Sequence, residues 1–184
     1  MLVVNFSPFP ELTTERLQLR RITAGDINEI FFLRNDPRMI EFLDRDPMPA
    51  LEDGYKWIGI IDKALDENEG ITWGISLIDN PVLIGTICYW RLEKAHFRAE
   101  IGYALHTGHQ GKGLMQEAME VVLDYGFHKM NLHSVEANVN PKNEASIKLL
   151  KNNGFVQEGY FKENYYYNGN FLDSAIYSLL APAR

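Results

Sequence analysis

Ala99-Glu100-Ile101-Gly102-Tyr103-Ala104-Leu105, then His106-Thr107-Gly108-His109-Gln110-Gly111-Lys112-Gly113, then Leu114-Met115, is the stretch whose reading decides the fold. The first seven residues suit a strand, and the composition then changes abruptly to a glycine loop. Beyond it Leu114, Ala118, Val121, Val122 and Tyr125 recur at i, i+4, i+7, i+8 and i+11, the spacing of a helix with one buried stripe. The local order is therefore strand, glycine loop, helix. Gly111 and Gly113 leave the backbone uncovered where that helix begins, and free N–H groups and the positive end of the macrodipole both favour an anion there.

Spacing narrows which anion. A nucleoside triphosphate loop needs G-x-x-x-x-G-K followed by Ser or Thr, but Gly108 stands too close to Gly111-Lys112 and the next residue is Gly113, so no hydroxyl is placed for magnesium. A dinucleotide loop needs G-x-G-x-x-G, yet Gly111-x-Gly113 runs on to Gln116, and the position for a ribose-binding acid falls within Lys129-Met130-Asn131-Leu132-His133. Both nucleotide readings fail.

Working outward, Ile71–Ile78 and Val82–Trp90 are β-rich and flank Asp79-Asn80-Pro81, which predicts a hairpin. Period-two alternation predicts a strand over 16–22. Thr23-Ala24-Gly25-Asp26 opens a helix that Asn35-Asp36-Pro37 stops, and further helices are expected over 37–42 and 51–65, forming the lip of a cleft. Ser134–Val139 reads as a strand and Asn143–Asn152 as a helix ended by Asn153-Gly154. Phe155–Tyr167 and Phe171–Leu180 flank Asn168-Gly169-Asn170, a strong hairpin turn because Asn and Gly accept positive φ cheaply. The expected architecture is one α+β domain over residues 1–184, with a twisted, mostly antiparallel sheet of about seven strands.

Composition removes other classes. The 184 residues suit one domain, and 18 Lys+Arg against 25 Asp+Glu give a net charge of −7, which offers no generic grip on nucleic acid or an anionic membrane. The lone Cys88 excludes an internal disulfide and a multi-cysteine metal site, and points to a reducing compartment. No signal peptide is evident at the amino terminus, and no apolar run approaches the roughly 20 residues that span a bilayer. A cytoplasmic protein is expected. His96, His106, His109, His128 and His133 have no ligand spacing, so no metal is expected.

Gln110-Gly111-Lys112-Gly113-Leu114-Met115 resembles motif A of the Gcn5-related N-acetyltransferases (GNAT), with Met115 in place of the usual third small residue. Glu100-Ile101-Gly102-Tyr103 before it, Asn143-x-x-Ser146 on a later helix and Gly154-Phe155 beyond match as well, so the resemblance covers about residues 12–180 and is similar to the RimJ/RimL-like branch. That resemblance implies the GNAT fold, in which the strands at 99–105 and 134–139 lie parallel and splay apart to admit acetyl-CoA. It implies that backbone groups of Tyr103 and Leu105 pair with the pantetheine arm, that Gln110, Gly111, Lys112, Gly113, Leu114 and Met115 surround the pyrophosphate, and that Asn138 and Asn143 lie on the cofactor. Ser146 is the implied donor to the departing thiolate, since Leu150 stands where many relatives carry a tyrosine. Glu100 is the implied base, with Glu163 as a rival; Glu163, Tyr165 and Tyr167 share a strand face if period two holds.

The implied reaction is direct acetyl transfer to a primary amine, including the N-terminal amine of a ribosomal protein, and a homo-oligomer is expected from family habit. Two alternatives stand beside it. One is acetylation of a small amine such as a polyamine or antibiotic, for which Glu41, Asp44, Asp46 and Glu52 near the cleft lip would attract a cation. The other is a non-catalytic acyl-CoA sensor. Trp57, Trp73, Trp90 and Tyr165–Tyr167 either line the acceptor cleft or bury in the sheet.

Overall fold

A computed structural model describes residues 1–43 and 45–182. Its frame is an eight-stranded sheet in the order β1-β2-β3-β4-β5-β6-β8-β7. The strands are β1 (Leu12–Thr13), β2 (Leu17–Arg21), β3 (Ile71–Leu77), β4 (Asn80–Glu93), β5 (Arg98–Leu105), β6 (Ser134–Val139), β7 (Val156–Tyr167) and β8 (Asn170–Leu180). The helices are α1 (Ile27–Asn35), α2 (Pro37–Ile40), α3 (Glu52–Asp66), α4 (Leu114–His128) and α5 (Glu144–Asn152).

The expected seven strands become eight because β1, only two residues long, is too short to alternate visibly; Leu12 pairs with Leu19 across it. The β3–β4 turn also sits earlier than expected, since Asn80 already pairs with Leu77, and the helix expected over 37–42 ends at Ile40. At the far edge Asn168 (φ 47°) and Gly169 (φ 83°) make the predicted hairpin turn.

Hydrophobic alternation fixes which elements cover which face. Leu17, Leu19, Ile75, Ile87, Ala99 and Ile101 form one core with Leu114, Ala118, Met119 and Val122 of α4. Ile22 and Leu83 form a second with Ile27, Ile30, Leu33, Met39 and Ile58 of the α1–α3 layer. Trp73 is fully buried, its indole N–H donating to the Pro10 carbonyl at 2.7 Å. Thr23 opens its helical turn with a capping box closed by Asp26, whose carboxylate also receives the Arg20 guanidinium at 2.7 Å.

The centre of the sheet is where function is positioned. All neighbouring strands are antiparallel except β5 and β6, which are parallel. That pair is in register at only three positions, Arg98–Ser134, Ala99–Val135 and Glu100–Glu136. Past Glu100, β5 continues against β4 alone, through Gly102–Cys88 to Leu105–Gly85, while β6 continues against β8 through Val139–Ala175. The sheet therefore forks at Glu100. Peptide groups lining such a fork are left without strand partners, and they are satisfied by water or by a ligand that presents amides of its own.

Candidate active site

The fork opens into a cleft of about 640 Å³, lined by Glu100, Gly102 and Tyr103 of β5, Asn138 of β6, and Asn143 and Ser146 at the start of α5. Trp57 and Trp90 also line it, whereas Trp73 belongs to the core. Of the predicted site residues, Glu100, Tyr103, Asn138, Asn143 and Ser146 line this opening, whereas Leu105, the Gln110–Met115 loop and Glu163 are not among its lining.

Glu100 occupies the last paired position before the fork and is only 7% exposed. Opposite it β4 carries one extra residue between Trp90 and Glu93, a bulge in which Arg91 adopts φ 48°. The bulge turns Arg91 across the strand onto Glu100 (Nη1 to Oε2 3.2 Å), while its guanidinium also lies 4.3 Å from the centre of the Trp90 ring. Burial raises the Glu100 carboxyl above its ordinary pKa of 4.5, Arg91 opposes that rise, and Glu136 adds to it. A carboxyl so placed takes up a proton more readily than an exposed one.

On the opposite wall Asn143 is the N-cap of α5, its Oδ1 accepting from the Ser146 N–H at 3.0 Å. This cap fixes the turn that presents Ser146, whose Oγ lies 2.6 Å from the Tyr103 hydroxyl across the fork. Burial pushes the Tyr103 phenol up to about 12, so it stays protonated and is able to donate to Ser146. Sequence reading assigned Tyr103 only its backbone. Its side chain was hidden because Tyr103 and Ser146 are 43 residues apart in the chain.

The glycine loop precedes α4 as predicted. Gly111 and Gly113 have φ of 74° and 75°, and Gly113 caps α4 without any side-chain hydrogen bond, leaving the first-turn N–H groups for an incoming anion. A Cβ built on Gly111 would meet nothing within 4 Å, so the approach to the loop is open. Several loop side chains hold the loop itself. Gln110 Nε2 donates to the Leu105 carbonyl at 2.9 Å, and Lys112 Nζ donates to the Gly108 carbonyl at 2.8 Å. Leu114 is buried and Met115 half-buried against the core. Arg16 Nη1 reaches the Lys112 carbonyl at 3.0 Å, and Arg16 is also ion-paired with Glu117. His106 stacks on Phe32 with ring centroids 4.4 Å apart and accepts from the Gly108 N–H, so it shapes the loop.

One sequence expectation fails, and one alternative loses its support. Glu163 does not share a period-two face with Tyr165 and Tyr167, because a bulge interrupts β7 between Phe161 and Tyr165. Glu163 has φ 49°, its N–H donates to Asp173 at 2.7 Å, and it lies outside the cleft lining. The acidic lip also changes character: Glu41, Asp46 and Glu52 are exposed, Asp46 accepts from the Tyr167 hydroxyl at 3.1 Å, and Asp44 lies outside the described residues. The charged residues that reach the cleft from this region are Arg34 and Arg45.

Cys88 also lines the cleft, but burial pushes its thiol up to about 12 and it remains protonated at neutral pH. Among the described residues no group of three or more His, Cys, Asp or Glu side chains could hold a metal ion. None of their helices is long and apolar enough to cross a membrane.

A forked parallel pair with a capped serine on one wall and a glycine loop opening the following helix defines an acyl-CoA-dependent transferase. The family model for the acetyltransferase (GNAT) domain matches residues 16–156. The chain belongs to the GNAT acetyltransferase family and uses acetyl-CoA as its acyl donor. It is 36% identical to the uncharacterised N-acetyltransferase YoaA of Bacillus subtilis (strain 168), over 95% of this chain and 98% of that one. Among solved structures, the ribosomal-protein-S5-alanine acetyltransferase from Vibrio fischeri superposes with a TM-score of 0.83 at 28% identity, covering 94% of this chain and 97% of that one. The spermidine N-acetyltransferase from Vibrio cholerae, in complex with CoA and spermine, gives 0.80 at 26% identity, with 91% and 97% covered. Its relatives thus include enzymes of the RimJ/RimL-like branch.

Proposed function

We propose that the acceptor is the N-terminal α-amine of a protein, ribosomal proteins included, and that the acetyl group moves to it directly with no acyl-enzyme. What carries this reading is the pairing of Glu100 and Ser146 on opposite walls of one fork, with the protonated Cys88 thiol a poor nucleophile. Glu100 accepts the proton of the attacking amine. The tetrahedral centre then collapses, the C–S bond breaks and Ser146 gives its proton to the departing sulfur, the resulting alkoxide being held by the Tyr103 O–H until Ser146 regains a proton from solvent and Glu100 releases its own. We assign the CoA moiety to the loop at Gly111–Met115 together with Leu105 and the cleft residues Asn138 and Asn143, with the acetyl group towards the fork. An α-amine suits this cleft better than a polyamine because its acids are occupied: Glu100 pairs with Arg91, and Glu69 with Lys94 at 2.6 Å.

Thiol release from acetyl-CoA against N-terminal peptides, spermidine and an aminoglycoside tests the assignment. Turnover with peptides is expected. Preference for spermidine would overturn the α-amine reading, and acetyl-CoA binding with no turnover on any amine would indicate a sensor.

Ser146→Ala is expected to lower kcat by about 10²-fold, the low end for general acid catalysis, with little change in acetyl-CoA affinity. Tyr103→Phe should lower it less. The double variant should fall no further than Ser146→Ala alone, because the two hydroxyls act in series. Multiplicative losses in steady-state kinetics would break the proposed relay.

A further inference from the structure

Arg34, near the end of α1, and Arg45, beyond α2, line the same cleft as Glu100 and Ser146. The Nε of each is buried without a hydrogen-bond partner, and neither guanidinium forms an ion pair among the described residues. Arg34 lies 5.0 Å from the centre of the Trp57 ring, which compensates one face of its guanidinium and leaves the N–H edges unspent. Burial lowers both guanidinium groups, and the charge of Arg34 adds to the burial that brings Arg45 down to about 10, so Arg45 remains charged at neutral pH. Two unpaired guanidinium groups in one half-buried cleft are costly to the folded chain, and a planar fork of N–H donors is built for a carboxylate or phosphate.

We propose that Arg34 and Arg45 form an anion-recognition subsite in the acceptor cleft, and that the preferred acceptor carries a carboxylate near its amine. The inference rests on reading this cleft as the acceptor site. For a protein substrate the carboxylate is an acidic side chain close to the amino terminus; a free amino acid presents the same chemistry. A polyamine offers only cations to the two arginines and is disfavoured.

The test compares peptides that differ only as Ala-Glu against Ala-Gln at the amino terminus, with free glutamate and spermidine as further arms. For the native protein kcat/KM is expected to favour the Glu peptide by about 10- to 100-fold, as one charge-assisted contact would give. In Arg34→Gln/Arg45→Gln that ratio should collapse towards one, with acetyl-CoA affinity preserved and the melting temperature held or raised. Glutamate outpacing the peptides would assign the carboxylate to a small substrate and support the subsite. Equal rates for the Glu and Gln peptides, preference for spermidine, or an unchanged ratio in the double variant would overturn it. Calorimetric titration of both peptides into the CoA-saturated protein separates the two readings. A Glu preference in binding with no turnover supports the subsite and refutes transfer, and equal affinities refute the subsite whether or not transfer occurs.

Discussion

Gly113→Asp is expected to lower acetyl-CoA affinity by about 10²- to 10⁴-fold while leaving a folded protein. Gly113 is the N-cap of α4 in a left-handed conformation (φ 75°), which costs a residue bearing a Cβ about 1–2 kcal/mol. The larger effect is competitive. An aspartate at an N-cap accepts from the N–H groups of the first turn, the donors we assign to the pyrophosphate. The new Cβ would also stand 3.5 Å from Arg16 Nη2, drawing that guanidinium towards the added carboxylate. Losing two charge-assisted donors, each worth about 1.5–3 kcal/mol, accounts for the range given. Gly113→Ala carries the same backbone strain without the carboxylate, and the 1–2 kcal/mol of strain caps its loss at about 5- to 30-fold. Titration calorimetry with acetyl-CoA, beside thermal melting, reads both. Aspartate binding within threefold of the native protein would show that the loop does not hold the anion.

The second large effect is expected at Glu100. Glu100→Gln keeps the shape and the contact with Arg91 but cannot accept a proton, and kcat/KM should fall by about 10²- to 10³-fold with acetyl-CoA binding retained. The pH profile gives an independent readout. Burial holds the Glu100 carboxyl above its ordinary value, so native activity should fall away on acidification at a pH higher than an exposed carboxylate would impose. Arg91 stabilises the ionised form and lowers that pKa, so Arg91→Gln should move the acid limb to higher pH. Glu100→Gln should abolish the limb altogether. A limb that persists unchanged in that variant would assign proton acceptance to another group.

How much of this was legible in the sequence depends on the range of the interaction involved. Asn168-Gly169 declared its hairpin and Leu114–Tyr125 its helix because both signals lie within a few residues. Asn143-x-x-Ser146 was equally local, its cap bond spanning three residues. The fork was inferred from resemblance alone; no periodicity reports that two strands stop pairing after Glu100. Bulges were invisible for the same reason. One extra residue in β4 aims Arg91 at Glu100, and another irregularity in β7 removes Glu163 from the face where period two had placed it. The lip was read from its acids because net charge and clusters are countable, but which side chain enters a cleft is decided by helix placement, and there Arg34 and Arg45 enter.

The bond between Tyr103 and Ser146 also has a mechanical meaning. Strands β1–β5 and β6–β8 meet along a seam of three residue pairs, and Tyr103 and Ser146 stand on opposite sides of it beyond the last pair. Their 2.6 Å contact is a clasp across that seam, so the group that would release the thiol also fastens the two halves of the sheet at the point where the donor must enter.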